Sequence, residues 1–245
     1  MKVARCLALV ACLIAVQHVD AAQTLRYSAV SSWNMPYGRF DGEQLVDGIM
    51  FDLAIAIEKQ VQIPVTFVAL SRKRVDGAAL SGDLDLRCYM TPQWTELPDQ
   101  YVWSGKLFEV TDVIFGTDAT PAPAEVDDIP SGSITSTVLG YGYPTLDAHF
   151  ASGRLKREDA VDQEKVNLKM TAGRTPYGVS ETIALNWYQR LTPKHRHSAW
   201  RLPISRHDFQ CGIPKKGKIP ASTILKAFEA MKKSNQFDEI LRKYR

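Results

Sequence analysis

Val46-Asp47-Gly48-Ile49-Met50-Phe51-Asp52-Leu53 decides how this chain is read, because a turn-rich stretch gives way there to an amphipathic helix. Leu53, Ile57 and Val61 recur at i, i+4 and i+8 on one stripe, with Glu58 and Lys59 beside it. Asp52 or a neighbour is expected to cap the start. Upstream, Leu25-Arg26-Tyr27-Ser28-Ala29-Val30 reads as a short strand ended by the turn residues Ser31-Ser32-Trp33-Asn34-Met35-Pro36-Tyr37. Downstream, Pro64-Val65-Thr66-Phe67-Val68 reads as the next strand. Strand, loop, helix, strand predicts a parallel sheet with crossover helices.

Working outward, Gly82-Asp83-Leu84-Asp85 turns into a strand running to Met90, followed by Met90-Thr91-Pro92 and Trp103-Ser104-Gly105-Lys106-Leu107-Phe108. Residues 117–133 hold Pro121, Pro123 and Pro130 and read as a long loop at a lobe junction. A second α/β unit follows. It has a strand over 134–139, the turn Gly140-Tyr141-Gly142-Tyr143-Pro144, a helix capped by Thr145 and a helix capped by Asp162. The buried strand Tyr177-Gly178-Val179 then leads to a helix capped by Ser180 that carries Ile183, Trp187 and Leu191. Phe209-Gln210-Cys211-Gly212-Ile213 is again a strand, and Ile224, Leu225, Phe228, Met231, Phe237, Ile240, Leu241 and Tyr244 form apolar stripes on final helices.

The chain starts like an export signal. Lys2 and Arg5 precede an apolar run, Cys6 to Val16, and Val19-Asp20-Ala21 is a small-residue cleavage pattern. The run is too short for a membrane span of about 20 residues. Leu9-Val10-Ala11-Cys12 offers a lipoprotein alternative, and cleavage after Ala21 is the favoured reading. A formal net charge of +3 is too weak to argue for nucleic acid, so Lys215, Lys216, Lys218, Lys232 and Lys233 read as solvated face. Of four cysteines, Cys6 and Cys12 fall in the leader. Cys88 and Cys211 remain as a candidate disulfide that the count alone does not decide. No Gly-x-Ser-x-Gly elbow, phosphate-binding Gly-Lys-Ser/Thr loop or His-Glu-x-x-His motif occurs. His195, His197, His207 and Cys211 could be drawn as a metal set, but polar neighbours favour a surface cluster. No metal and no cofactor are expected.

The order GxxFDLxxxI from Gly48, RxxxxxxxGxxD from Arg74 and WSxxL from Trp103 resembles the first lobe of bacterial extracellular solute-binding proteins of family 3, the periplasmic group that includes polar amino-acid receptors. Residues 227–244 are similar to the ALxxLxxxGxxxxIxxKY ending of that family. The resemblance implies an α/β, two-lobed type II periplasmic binding fold. Each lobe would be a mostly parallel sheet flanked by helices, and the chain would cross the hinge twice. It would divide into a signal at 1–21, a first lobe at 22–108, a second lobe at 109–205 and completion of the first lobe by 206–245. The resemblance also makes the strands of Cys88 and Cys211 neighbours, which favours a disulfide between them.

A ligand in the cleft between lobes is also implied, in agreement with the location beyond strand carboxyl ends. Trp33 and Tyr37, large aromatics in a turn after a strand, suit stacking on a ligand. Arg74, with Arg72 as a weaker candidate, would clamp a carboxylate or phosphate. Receptors of the family carry TxxR, whose arginine holds the α-carboxylate, whereas this chain has Thr91-Pro92-Gln93-Trp94. Trp94 stands in the arginine's place, and either Arg74 or Arg87 substitutes or the ligand is no plain α-amino acid. In the second lobe Tyr141, Gly142, Tyr143 and Thr145 would form an aromatic helix-start loop, and Glu181 falls where an aspartate holds the ligand ammonium. A monomeric, non-catalytic receptor is implied. It would take a small polar or aromatic solute and present it to the membrane subunits of an ABC importer or to a periplasmic sensor. The alternative from another class is a lyase of the cyclohexadienyl dehydratase type on the same scaffold.

Overall fold

In the computed structural model, residues 23–192 and 200–245 are described. The segment expected to be an export leader, His195 and His197 lie outside them. Strand β1 (Leu25–Val30) pairs in parallel with β4 (Val65–Leu70), and helix α1 (Ile49–Val61) crosses over between them. A small hairpin, β2 (Arg39–Asp41) with β3 (Gln44–Asp47), precedes the helix. A bridge from Tyr27 to Leu86 carries the first sheet toward β5 (Arg87–Met90). Helix α2 (Arg72–Ser81) ends at Gly82, whose φ is 82°. A Cβ there would lie 2.7 Å from the Lys216 carbonyl oxygen, so glycine is required twice over.

After β6 (Tyr101–Trp103), strand β7 (Phe108–Gly116) leads into the second lobe. There β8 (Ser133–Val138), α3 (Pro144–Ala151), β9 (Leu155–Ala160), α4 (Gln163–Thr171), β10 (Tyr177–Glu181) and α5 (Thr182–Leu191) follow. Strands β9, β8 and β10 are parallel. The chain returns in one long strand, β11 (Arg201–Pro214), and ends in α6 (Ala221–Lys233) and α7 (Gln236–Arg242). β11 pairs antiparallel first with β7 and then with β5 and β6, so β7 and β11 are the two crossings. Apart from the β2–β3 hairpin, pairing is parallel away from the hinge and antiparallel at it.

The cores divide at the same strands except at α5, whose Ala184 joins the first-lobe cluster. One apolar cluster joins Leu25, Met50, Leu53, Ile57 and Val110 to Phe209, Ile213, Phe228 and Tyr244, while Val113, Phe115, Leu155, Val179 and Leu202 pack in separate clusters. Burying each large side chain contributes roughly 1.5–3 kcal/mol. Cys88 and Cys211 are register partners on β5 and β11 and form a disulfide, with Cα atoms 4.0 Å apart. It fastens the returning strand to the first lobe just beyond the crossing.

Three expected caps fall elsewhere. Gly48, not Asp52, precedes α1, with φ 107°. A side chain there would meet the Tyr37 carbonyl at 2.7 Å. Asp52 instead accepts from Lys243 Nζ at 2.9 Å and Tyr244 OH at 3.1 Å. Thr145 lies inside α3, because Pro144 takes the first turn and Tyr143 the cap. Ser180 belongs to β10, and Glu181 is the cap residue of α5. Asp162 does cap α4, accepting from Lys165 N at 2.8 Å. The proline-rich loop at 117–133 is no junction. It lies beyond β7 in the second lobe, where Trp200 Nε1 donates to Thr120 O at 3.0 Å.

Candidate functional site

Residues 31–38 leave the carboxyl end of β1 and rest on the start of α1. The first-turn N–H groups of Ile49 and Met50 donate to Pro36 O at 2.8 Å and Tyr37 O at 3.0 Å, which satisfies donors that a helix start leaves free. The loop is thereby fixed with Trp33 and Tyr37 turned inward, 3% and 5% exposed. Trp33 fills the edge of the first-lobe core and also lines a cavity between the lobes.

That cavity, about 50 Å³, has room for a few water molecules. Seven of the expected residues line it: Trp33, Tyr37, Trp94, Tyr141, Gly142, Tyr143 and Glu181. Trp94 packs edge-on to Tyr89, ring centroids 6.0 Å apart, and to His207 at 5.0 Å. The 140–143 turn is held by Arg157, whose Nη2 donates to Tyr141 O at 2.9 Å.

Two expected arginines are elsewhere. Arg87 pairs with Asp76 and donates to Tyr101 OH at 3.0 Å, all within the first lobe. Arg74 lines a wider groove at the cleft mouth with Phe40 and Trp187. The arginine in the cavity wall is Arg72. Its Nε donates to Gly140 O of the opposite lobe at 3.0 Å, and its guanidinium lies 4.6 Å from the centre of the Tyr141 ring. Thr145 is not in the wall, because Pro144 places it within α3. Of the residues that could be drawn as a metal set, Cys211 is in the disulfide and His207 faces Asp112.

Tyr89, Asp112 and Gln163 are wall residues that the sequence reading missed. Tyr89 has φ 61°, a left-handed conformation that a bulky residue adopts only when its surroundings demand it. Its ring is stacked on Tyr37 at 4.4 Å and on Phe209 at 5.5 Å. One signal was available: Tyr89 is next to last in β5, and ligand sites lie beyond strand carboxyl ends.

Glu181 is the centre of the arrangement. It is 7% exposed, and its two carboxylate oxygens accept from Tyr37 OH and Tyr89 OH across the cleft. No cation pairs with it among the described residues, and burial pushes its carboxyl well above the ordinary carboxylate range. Its register partner on β7 is a second carboxylate, Asp112. Asp112 is satisfied by Ser205 Oγ at 2.7 Å and His207 Nε2 at 3.1 Å. Burial also pushes the Tyr89 phenol up. An unpaired buried carboxyl inside an aromatic wall can take a ligand cation, and it can also hold a proton.

No protein-family model and no curated protein sequence match the chain. Solved structures do. An ancestral arginine-binding protein bound to glutamine superposes with a TM-score of 0.71 at 22% identity, covering 90% of this chain and 97% of that one. A histidine kinase sensor domain with similarity to periplasmic binding proteins gives 0.73 at 16%, covering 92% and 97%. The arginine-, lysine-, histidine-binding protein ArtJ from Geobacillus stearothermophilus gives 0.70 at 14%, covering 91% and 95%. The chain has the two-lobed fold of periplasmic binding proteins.

Proposed function

We propose that this protein captures a small solute between its lobes and, in the closed shape, presents it to an importer's membrane subunits or a sensor domain. The observation that carries the reading is Glu181 of the second lobe held by Tyr37 and Tyr89 of the first, inside a wall of six aromatic side chains. A polar group buried at the closing surface, rather than on either lobe alone, ties lobe closure to what occupies the cleft. A substrate-binding protein of an amino acid ABC transporter and the sensor domain share the fold, which supports both kinds of partner. The leader at 1–21 supports export to the periplasm, and no helix of the described residues is long and apolar enough to cross a membrane.

In this reading Trp33, Tyr37, Tyr89, Trp94, Tyr141 and Tyr143 enclose the solute, and Glu181 accepts from its donor groups. Arg72 clamps the lobes, and Arg74 lies at the entrance. The lobe limits near 109 and 206 belong to the same reading, supported by the crossings at β7 and β11. Calorimetry against a metabolite library, with mass analysis of the same mixtures, tests it. Saturable one-to-one binding with the solute recovered unchanged is expected. Steady consumption of a bound compound would instead assign a lyase, for which a buried protonated Glu181 would be the acid.

A further inference from the structure

We infer that the solute is a primary ammonium ion carrying a neutral oxygen acceptor, an amino alcohol or amino amide, rather than an α-amino acid. The inference rests on the cleft being the solute site. Charge is the first ground. The cavity wall holds two carboxylates, Glu181 and Asp112, and one cation, Arg72. Asp112 is already hydrogen-bonded, and Arg72 donates its Nε to Gly140 O with its guanidinium over the Tyr141 ring. Glu181 has only phenol donors, so an entering ammonium supplies the missing counter-charge by displacing the two hydroxyls. A zwitterion would bring a second anion, and the one cation among the described wall residues, Arg72, already bridges the two lobes.

The second ground is independent. Trp94 Nε1 and Asn34 Nδ2, both on wall residues, are buried and have no hydrogen-bond partner. Unpaired buried donors of this kind are costly until an acceptor arrives. Both are neutral, which suits a hydroxyl or carbonyl oxygen. A carboxylate buried against neutral donors alone would keep an uncompensated charge. Trp94 therefore becomes the specificity-determining residue of the site. Its N–H reads the neutral oxygen, and its bulk denies the space where an arginine would receive a carboxylate.

Matched sets test the inference: phenylalanine, tyrosine and histidine, each with its carboxamide and its amino alcohol, titrated calorimetrically into the mature protein. In at least one set the amide or alcohol is expected to bind tenfold or more tighter than the parent acid. Glu181→Gln should weaken that ligand by tenfold or more, and Trp94→Phe, which keeps the ring and loses the N–H, by about three- to tenfold. Thermal melts of both variants establish that they are folded. Equal or tighter binding of the acid overturns the inference, as does an affinity for the amide that Glu181→Gln does not change. If no set binds but another library solute does, the inference fails and the solute-binding reading stands. If no library compound binds at all, that reading fails too.

Discussion

Asp85 and Glu181 are both buried carboxylates, and the protein treats them in opposite ways. Asp85, 0% exposed, lies where β1, the turn before β5 and the returning chain meet. Arg26 approaches it with Nε and Nη2, each at 2.8 Å, and three backbone N–H groups, of Arg26, Lys218 and Ile219, complete its shell. Burial alone would raise its pKa, but these donors outweigh it and hold the carboxyl below the ordinary range. Glu181 has two phenols and no cation. The first arrangement locks a lobe together. The second leaves a charge unsettled where the lobes separate, so what neutralises it decides whether they close.

If that contrast is right, Asp85→Ala should have the largest effect on stability. Removing one partner of a buried pair costs about 3–5 kcal/mol, read as a lower urea midpoint. Because the folded pKa is depressed, the contribution of Asp85 is present above the ordinary aspartate value near 3.9 and is lost as pH falls through the lowered one. Replacing Cys88 and Cys211 with alanine should cost about 2–4 kcal/mol, since the bond spans 123 residues. At the cleft, Trp94→Arg should strengthen plain α-amino acids by roughly one to two decades, the worth of a charge-assisted bidentate contact. No gain by calorimetry would mean that position 94 does not face the solute. Arg74→Ala, at the mouth, should change neither the stability read from urea unfolding nor the affinity by more than about 0.5 kcal/mol.

The sequence made the frame legible because its strongest signals are local. The Leu53-Ile57-Val61 stripe, the Gly82 turn and the terminal apolar stripes each act within a few residues of themselves, and each appears as expected. The site was read less completely because two of its determinants are rotations and backbone angles. Arg72 and Arg74 are two positions apart on α2, about 200° around the helix, so one reaches the opposite lobe and the other the outer groove. Tyr89 enters the cleft through a left-handed backbone conformation that no residue pattern announces. The caps at Thr145 and Ser180 were displaced by Pro144, which claims the first turn, and by β10, which runs one residue further than Ser180.

Glu181 offers the most direct test. A carboxyl whose pKa rises when the cleft closes binds its proton more tightly in the closed form. Closure without a cation is therefore favoured at low pH and lost as pH rises from the ordinary glutamate range, near 4.3, through the raised value. The titratable and charged groups that share the cavity wall with Glu181 are Asp112 from β7, Tyr37 from the first loop, Tyr89 from β5, Tyr141 and Tyr143 from the turn before α3, and Arg72 from α2, with His207 behind Asp112. Spin labels on α2 and α4, one in each lobe, report the separation by pulsed electron resonance between pH 4 and pH 8. The wild type is predicted to lengthen as pH rises, and Glu181→Gln to stay short throughout. A wild-type distance that ignores pH, or a glutamine variant that opens like the wild type, would contradict the account.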